Sequence, residues 1–263
     1  MISQNQLKQI SFLKQKKCRL REGKFIVEGL RLCEELVRSD FYVEQILYCS
    51  STLASTRGKR LLETCRKHNI TSAEIDAGSF KKISSTVNAQ GIAAITRTRE
   101  MDPWRFIRPA GNRTLIALWN VKDPGNLGTI IRSAAWFGID AVLTSTECAE
   151  ATNPKTARAT MGALFYLPVF EGLNFSEALP ALTTMGYHIR HAEVGGEICI
   201  KDASFSERNV ILLGGETNPL PRHLAEWVAA TVRIPRFGYG DSLNVAAAAA
   251  ILMAELKMRS PRH

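Results

Sequence analysis

Apolar residues along this chain alternate between two spacings, the three-to-four-residue period of a helix face and the short β-branched run of a buried strand. Gln4 to Leu20 is predicted to form one basic helix, with Leu7, Ile10, Phe12 and Leu13 as its apolar positions. Phe25-Ile-Val-Glu-Gly29 is a short extended run that turns at its glycine. An amphipathic helix with Leu32, Leu36 and Val37 on one face follows. Val43–Cys49 and Ser72–Ile75 read as strands flanking a basic helix over Leu53–His68, and a brief helix around Phe80–Ile83 leads to a strand at Gly91–Thr96. These alternations make a small α/β domain of about 100 residues. Met101–Asn112, with two prolines and a glycine, reads as a linker.

A second α/β series begins at Thr114-Leu-Ile-Ala-Leu-Trp-Asn120, continuously apolar as a strand buried in a parallel sheet must be. The loop Val121–Asn126 follows, and Asn126 is of a type that caps helices. The helix it opens carries Ile130, Ile131, Ala134 and Phe137, with Gly138 as its stop. Ala141–Thr144 is the next strand and Pro154–Leu164 the next helix. The series continues through Leu167–Phe170, Phe175–Met185, His188–Ala192 and Val210–Leu213 to a last helix over Ser242–Met258. Two segments break from apolar runs into polar, glycine-containing loops: Val210-Ile-Leu-Leu-Gly-Gly-Glu216 and Ile234-Pro-Arg-Phe-Gly-Tyr-Gly-Asp-Ser-Leu-Asn-Val245. That pattern is how a buried strand delivers a site. The chain is therefore divided into a basic helix over 1–20, a first α/β domain over 21–100, the linker over 101–112 and a second α/β domain over 113–263.

Composition narrows the class. With 45% hydrophobic and 22% charged residues in 263, the chain is expected to be globular. Its longest apolar stretch, Val245–Ala254, is too short to span a bilayer, and Met1–Leu20 lacks the apolar segment of a secretory signal, so the expected compartment is the cytoplasm. The six cysteines form no C-x-x-C pair and read as free thiols, with no metal site expected. His188 and His191 lie in a strand, where a spacing of three sends side chains to opposite faces.

Charge is divided unevenly. Residues 1–113 hold 21 Lys+Arg against 11 Asp+Glu, a balance of +10; residues 114–263 hold 13 against 14, a balance of −1. The basic residues cluster at Lys14, Lys16, Lys17, Arg19, Arg21 and Lys24, again at Arg57, Lys59, Arg60, Arg66 and Lys67, and again at Arg97, Arg99, Arg105, Arg108 and Arg113. Nucleic acid is the polyanion this fits, because Lys and Arg gain affinity by releasing counterions condensed on phosphates.

The common nucleotide fingerprints are missing. There is no G-x-x-x-x-G-K-[ST], no G-x-G-x-x-G after a predicted strand, and Ser242 lacks the G-x-S-x-G setting of a hydrolase nucleophile. Three ordered segments do carry a resemblance: Asn120-Val-Lys-Asp-Pro-Gly-Asn-Leu-Gly-Thr-Ile-Ile-Arg-Ser-Ala-Ala-Trp-Phe-Gly138, Leu213-Gly-Gly-Glu216, and Ile234-Pro through Ser242-Leu-Asn-Val245. On these the chain resembles the SpoU (TrmH-type) branch of the SPOUT RNA methyltransferases. Phe25–Gly29 is similar to the opening of that family's N-terminal substrate-binding domain. The chain departs from the family pattern at Thr217-Asn-Pro-Leu220, where glycines are frequent, and at Ala246, where serine is frequent.

The resemblance implies an α/β fold: a C-terminal SPOUT domain with a parallel sheet and a deep trefoil knot, joined to a small ribosomal-protein-like α/β domain. It implies S-adenosylmethionine as cofactor, a homodimer through the C-terminal domain, and methylation of a ribose 2′-hydroxyl in structured RNA. Ribosomal RNA is the leading substrate; transfer RNA is the alternative, and a non-catalytic RNA-binding or assembly factor the reading from another class. Carried onto matching positions, Asn126, Arg132, Glu216, Ser242 and Asn244 are the active-site residues, and Leu213, Gly214, Ile234 and Leu243 line the cofactor pocket. Lys14, Lys16, Lys17, Arg19 and Arg21 are the candidate RNA contacts. A guanidinium is effectively always protonated, so Arg132 is assigned to a phosphate and the ribose rather than to the hydroxyl proton. That leaves the base unassigned.

Overall fold

A computed structural model describes residues 2–108, 111–214 and 219–259. It divides into two compact units, one of residues 1–100 with 152–166, the other of 101–151 with 167–263.

The first unit opens with α1 (Gln4–Phe12) and α2 (Lys16–Glu22), not the single helix the apolar spacing predicts. Arg19 gives the physical reason. Only 2% exposed, it turns back so that its Nη1 donates to the carbonyls of Leu13 (3.1 Å) and Lys14 (2.8 Å), closing the corner where α1 ends. β1 (Lys24–Glu28) then meets α3 (Leu30–Arg38) at Gly29, whose φ of +111° an L side chain rarely adopts. β2 (Val43–Tyr48), α4 (Thr56–Lys67), β3 (Ser72–Glu74), α5 (Ala77–Ile83) and β4 (Ile92–Arg97) complete the series. The strands run β1-β4-β2-β3, with β4 antiparallel to β1 and β2, and β3 parallel to β2. One core, with Leu7, Leu13, Ile26, Leu47, Phe80 and Ile83, joins α1 and α5 to the sheet. Burial of Leu32, Cys33, Leu36 and Val37 seats α3 by its apolar stripe.

The second unit starts with α6 (Pro103–Ile107), inside the stretch the prolines mark as a linker. Three apolar residues override that signal: Ile107 is fully buried, and Trp104 and Phe106 pack against the same core. β5 (Arg113–Trp119), α7 (Pro124–Trp136), β6 (Ala141–Ser145) and β7 (Val169–Leu173) follow, while α8 (Pro154–Ala159), between β6 and β7 in sequence, belongs to the first unit. Then come α9 (Phe175–Thr184), β8 (His188–Ala192), β9 (Ile198–Cys199), β10 (Arg208–Gly214), α10 (Arg222–Ala225), β11 (Ala230–Arg233) and α11 (Val245–Arg259). Seven strands form one sheet in the order β7-β6-β5-β10-β8-β11-β9, every pair parallel. Leu115, Ala117, Leu143, Val210 and Leu212 face the core shared with α6, α9 and α10. The alternate positions Ile116, Leu118, Ile211 and Leu213 are also buried, on the side where α7 and α11 pack against one another.

Residues 152–166, expected to belong to the catalytic domain, cluster with the first unit instead. Phe165 meets Phe41 edge-on at 5.4 Å, and Tyr166 Oη donates to the Glu35 carbonyl (3.2 Å). Arg158 Nη1 donates to Ser85 Oγ (2.6 Å) and lies 3.8 Å from Glu28. Glu28 is itself buried and accepts from Ser84 Oγ (2.5 Å), Thr86 Oγ1 (2.6 Å) and the Ser85 amide (3.0 Å). Burial raises its pKa, but these hydrogen bonds outweigh burial and leave the carboxyl below its ordinary value. Long-range packing of this kind leaves no periodic mark in sequence.

Candidate active site

Because the sheet is parallel, every strand of the second unit delivers its C-terminal end to one edge. β5 and β10 lie side by side although the chain goes from β5 to β6 on the other side, so the strand order reverses between them. Such a switch point opens a crevice at the carboxyl ends, where open α/β sheets bind ligands. Asn120, which closes β5, takes a left-handed φ of +57° and donates its amide to Ser145 Oγ (3.1 Å), turning the chain into α7.

Asn126 does not cap α7. Asp123 does, its Oδ1 accepting the Asn126 amide at 2.8 Å, which places Asn126 in the first turn. Ser242 likewise does not begin α11. The helix starts three residues later because Asn244 takes the cap position, its Oδ1 accepting from the amides of Ala246 (2.9 Å) and Ala247 (3.4 Å). With Oδ1 turned to those amides, Asn244 Nδ2 points outward and donates to Asn126 Oδ1 at 3.0 Å. Two of the sequence-derived residues are thereby joined at the N-termini of two packed helices, where backbone N–H groups and the helix dipoles favour electron-rich ligand atoms.

The other candidates lie on the following elements. Arg132 lies two turns along α7, exposed and without a hydrogen-bond or ion-pair partner among the described residues. Gly214 ends β10 in register with Trp119, and Leu213 before it is buried. Ile234 follows β11 half-buried, while Ser242 and Leu243 are exposed in the loop before α11. Glu216 lies outside the described residues. Among the RNA candidates of the first unit, Lys14, Lys16, Lys17 and Arg21 are exposed, and Arg21 pairs with Glu22 at 2.9 Å. Arg19 differs from them: its guanidinium is committed to the α1–α2 corner.

One element of this edge was missed in the sequence. The loop Glu193–Glu197 after β8 is clamped to β11 by Arg233 Nη1, which donates to the carbonyls of Gly196 and Glu197, both at 2.6 Å. A Cβ on Gly196 would stand 2.5 Å from the Val232 carbonyl carbon, so only glycine lets the two backbones approach. The Gly195-Gly196 pair after an apolar strand is the signal that could have found it. In β8, His188 at the start is exposed and His191 near the end is buried. Burial lowers the His191 pKa and Glu193, 3.8 Å away, acts against it, so the imidazole is neutral at pH 7.

Glycine, apolar side chains and exposed loop backbone at one edge match a ligand that has both an apolar ring face and polar edges. Leu213 and Gly214 at the end of β10, Ile234 just after β11 and Leu243 just before α11 are of these types, so the residues present fit an adenosine-containing cofactor. Among the described residues no cluster of three or more His, Cys, Asp or Glu could hold a metal ion. Two asparagines joined at the switch point of an all-parallel sheet make this an α/β protein with a ligand site at the carboxyl ends of its strands. The chain belongs to the SpoU rRNA methylase family, whose sequence model matches residues 113–254, and a model of the MRM3-like substrate binding domain matches residues 4–94. It is 31% identical to the 23S rRNA (guanosine(2553)-2′-O)-methyltransferase RlmP of Bacillus subtilis, over 92% of each chain. An AdoMet-bound rRNA methyltransferase structure from Sinorhizobium meliloti, 28% identical, superposes with a TM-score of 0.85 over 100% of this chain and 98% of that one. AviRb, a SpoU methyltransferase from Streptomyces viridochromogenes, shares the fold at 24% identity, with a TM-score of 0.89 over 99% of this chain and 100% of the other. The protein is an S-adenosylmethionine-dependent RNA methyltransferase.

Proposed function

We propose that the chain methylates a ribose 2′-hydroxyl of ribosomal RNA. The observation that carries this reading is the bond between Asn244 and Asn126, which unites the first and third motifs at the switch point; the Bacillus subtilis relative supports the choice of ribosomal RNA. The cofactor supplies an electrophilic methyl group on a sulfonium centre. The protein's part is to position the hydroxyl in line with it and exclude competing water. Asn126, Ser242 and Asn244 orient the ribose, together with Glu216. Arg132 holds the adjacent phosphate by a charge-assisted fork and keeps its own proton. Backbone groups around Gly214, with Leu213, Ile234 and Leu243, hold the cofactor.

Lys14, Lys16, Lys17 and Arg21 contact RNA from the first unit. The protein acts in the cytoplasm as a homodimer with a knotted C-terminal domain. Dimerisation is supported by the loop before α11, where Phe237 is 95%, Tyr239 108% and Leu243 50% exposed, an arrangement that a second copy would cover. No helix among the described residues is long and apolar enough to cross a membrane. Incubating the protein with tritiated S-adenosylmethionine and total RNA tests the activity. Label is expected in ribosomal RNA, at a nucleotide whose 3′ bond resists alkaline cleavage; label in transfer RNA alone overturns the substrate, and none in either overturns the reaction.

A further inference from the structure

At the opposite edge of the large sheet, β5 and β10 begin with Arg113 and Arg208 in register. That edge lies roughly 20 Å from Asn126 and Asn244, given a rise of about 3.3 Å per strand residue. α6 lies there. An open hollow of about 430 Å³ against it is lined by Asp102, Trp104, Arg105 and Arg108. Its frame is fixed: Asp102 Oδ1 accepts the Trp104 amide (2.9 Å), the Trp104 carbonyl accepts the Arg108 amide (3.0 Å), and Ile107 anchors the helix in the core.

The four arginines of this edge are not equivalent. Arg113 stacks over Phe106 (5.1 Å), and Arg208 stacks over Tyr187 (4.9 Å) while its Nη2 donates to the Arg108 carbonyl (3.2 Å). Both therefore have structural work. Arg105 and Arg108 are exposed and have no side-chain partner among the described residues. Asp102 is the one carboxylate in the lining, and it is engaged as the α6 cap. A concavity that combines an indole with two exposed guanidiniums that have no partner among the described residues matches an unpaired nucleotide, whose base stacks on an aromatic face while its phosphates meet arginine.

The geometry points to this hollow as a second RNA-binding site, at the sheet edge remote from methyl transfer, which takes a single-stranded segment of the substrate with a base on Trp104 and phosphates on Arg105 and Arg108. The choice of RNA as the polyanion rests on the methyltransferase reading above. The site would hold the substrate beyond the modified nucleotide, adding affinity without touching the reacting atoms.

The test uses the full chain and a fluorescein-labelled 15-nucleotide oligouridylate, titrated at several salt concentrations. R105A/R108A is expected to weaken binding about tenfold and to reduce the slope of log K against log salt by about 1.4, at about 0.7 per single-strand phosphate neutralised. Trp104→Leu should weaken binding about fivefold or more with the slope unchanged, and Trp104→Phe, which keeps a stacking ring, should restore it. S-adenosylmethionine affinity should not change in R105A/R108A. Unaltered affinity and slope in that variant would overturn the site. So would polyglutamate displacing the wild-type protein's RNA as well as unlabelled oligouridylate does, because the hollow would then suit an acidic protein. Absence of methyl transfer in a protein that passes these binding tests would remove the enzymatic reading and leave the site standing.

Discussion

Asn244 Nδ2 donates to Asn126 Oδ1 across 3.0 Å, joining the first turn of α7 to the cap of α11 across 118 residues of sequence. The same side chain caps α11 through its other atom. Capping and donation can be separated by substitution. Asn244→Asp keeps an oxygen for the Ala246 and Ala247 amides but replaces the donor with a second acceptor facing Asn126. It is expected to unfold within about 0.5 kcal/mol of wild type, whereas Asn244→Ala, which loses the cap as well, should lose about 1 kcal/mol. Both should lose methyl transfer. Denaturant midpoints beside transfer assays decide it, and an active Asn244→Asp would make the residue a cap alone.

Arg132 projects from α7 into solvent without a partner among the described residues, so its removal should leave the fold intact. For Arg132→Ala we expect stability within about 0.5 kcal/mol of wild type. S-adenosylmethionine affinity by calorimetry should be unchanged and methyl transfer lost. A marked fall in cofactor affinity would place Arg132 on the donor rather than on the RNA.

The basic residues of the N-terminal arm divide by burial. Replacing Lys14, Lys16 and Lys17 with alanine should weaken RNA binding and lower its salt slope by about 0.7 to 0.9 for each phosphate no longer neutralised. Arg19→Ala should instead lower the thermal midpoint, because it removes the donor to the Leu13 and Lys14 carbonyls from a buried site. An unaltered slope in the triple variant would move the RNA surface elsewhere in the first unit.

Glu28 predicts an acid-sensitive fold. Its folded-state pKa lies below the ordinary 4.5, so the unfolded chain takes up its proton first on acidification. The stabilisation is therefore complete above pH 4.5 and is lost as pH falls through the lower folded-state value. Glu28→Gln should be less stable near pH 7 by about 1 to 3 kcal/mol. It should also show a flatter dependence of stability on pH below 4.5 than wild type, measured by urea unfolding. Parallel curves for the two proteins would assign the acid sensitivity to other groups.

These residues show what a sequence can and cannot disclose. The strands β5 and β10 were legible because a strand buried on both faces must be continuously apolar, and the family resemblance carried by the three motifs pointed to both Asn126 and Asn244 before any bond between them was visible. Their bond was not legible, since periodicity reports only neighbours a few residues apart. The same limit explains α6, where Trp104, Phe106 and Ile107 outweigh the prolines, and the break at Leu13–Gln15, which Arg19 settles from the next helix. Residue type also misled at the helix starts. Asp123 and Asn244 hold the positions for which Asn126 and Ser242 were equally suitable, and only backbone geometry chooses among them.

Residues 152–166 give the N-terminal unit a body assembled from two separate stretches of chain. A single splice at residue 100 would therefore not yield a portable RNA-binding module: the excised piece would lack Arg158, Tyr166 and Phe165, which meet Glu28, Glu35 and Phe41, and the remainder would carry a stretch shaped for a surface it no longer has. Swapping substrate recognition among such enzymes, by recombination or by design, requires two grafts that change together.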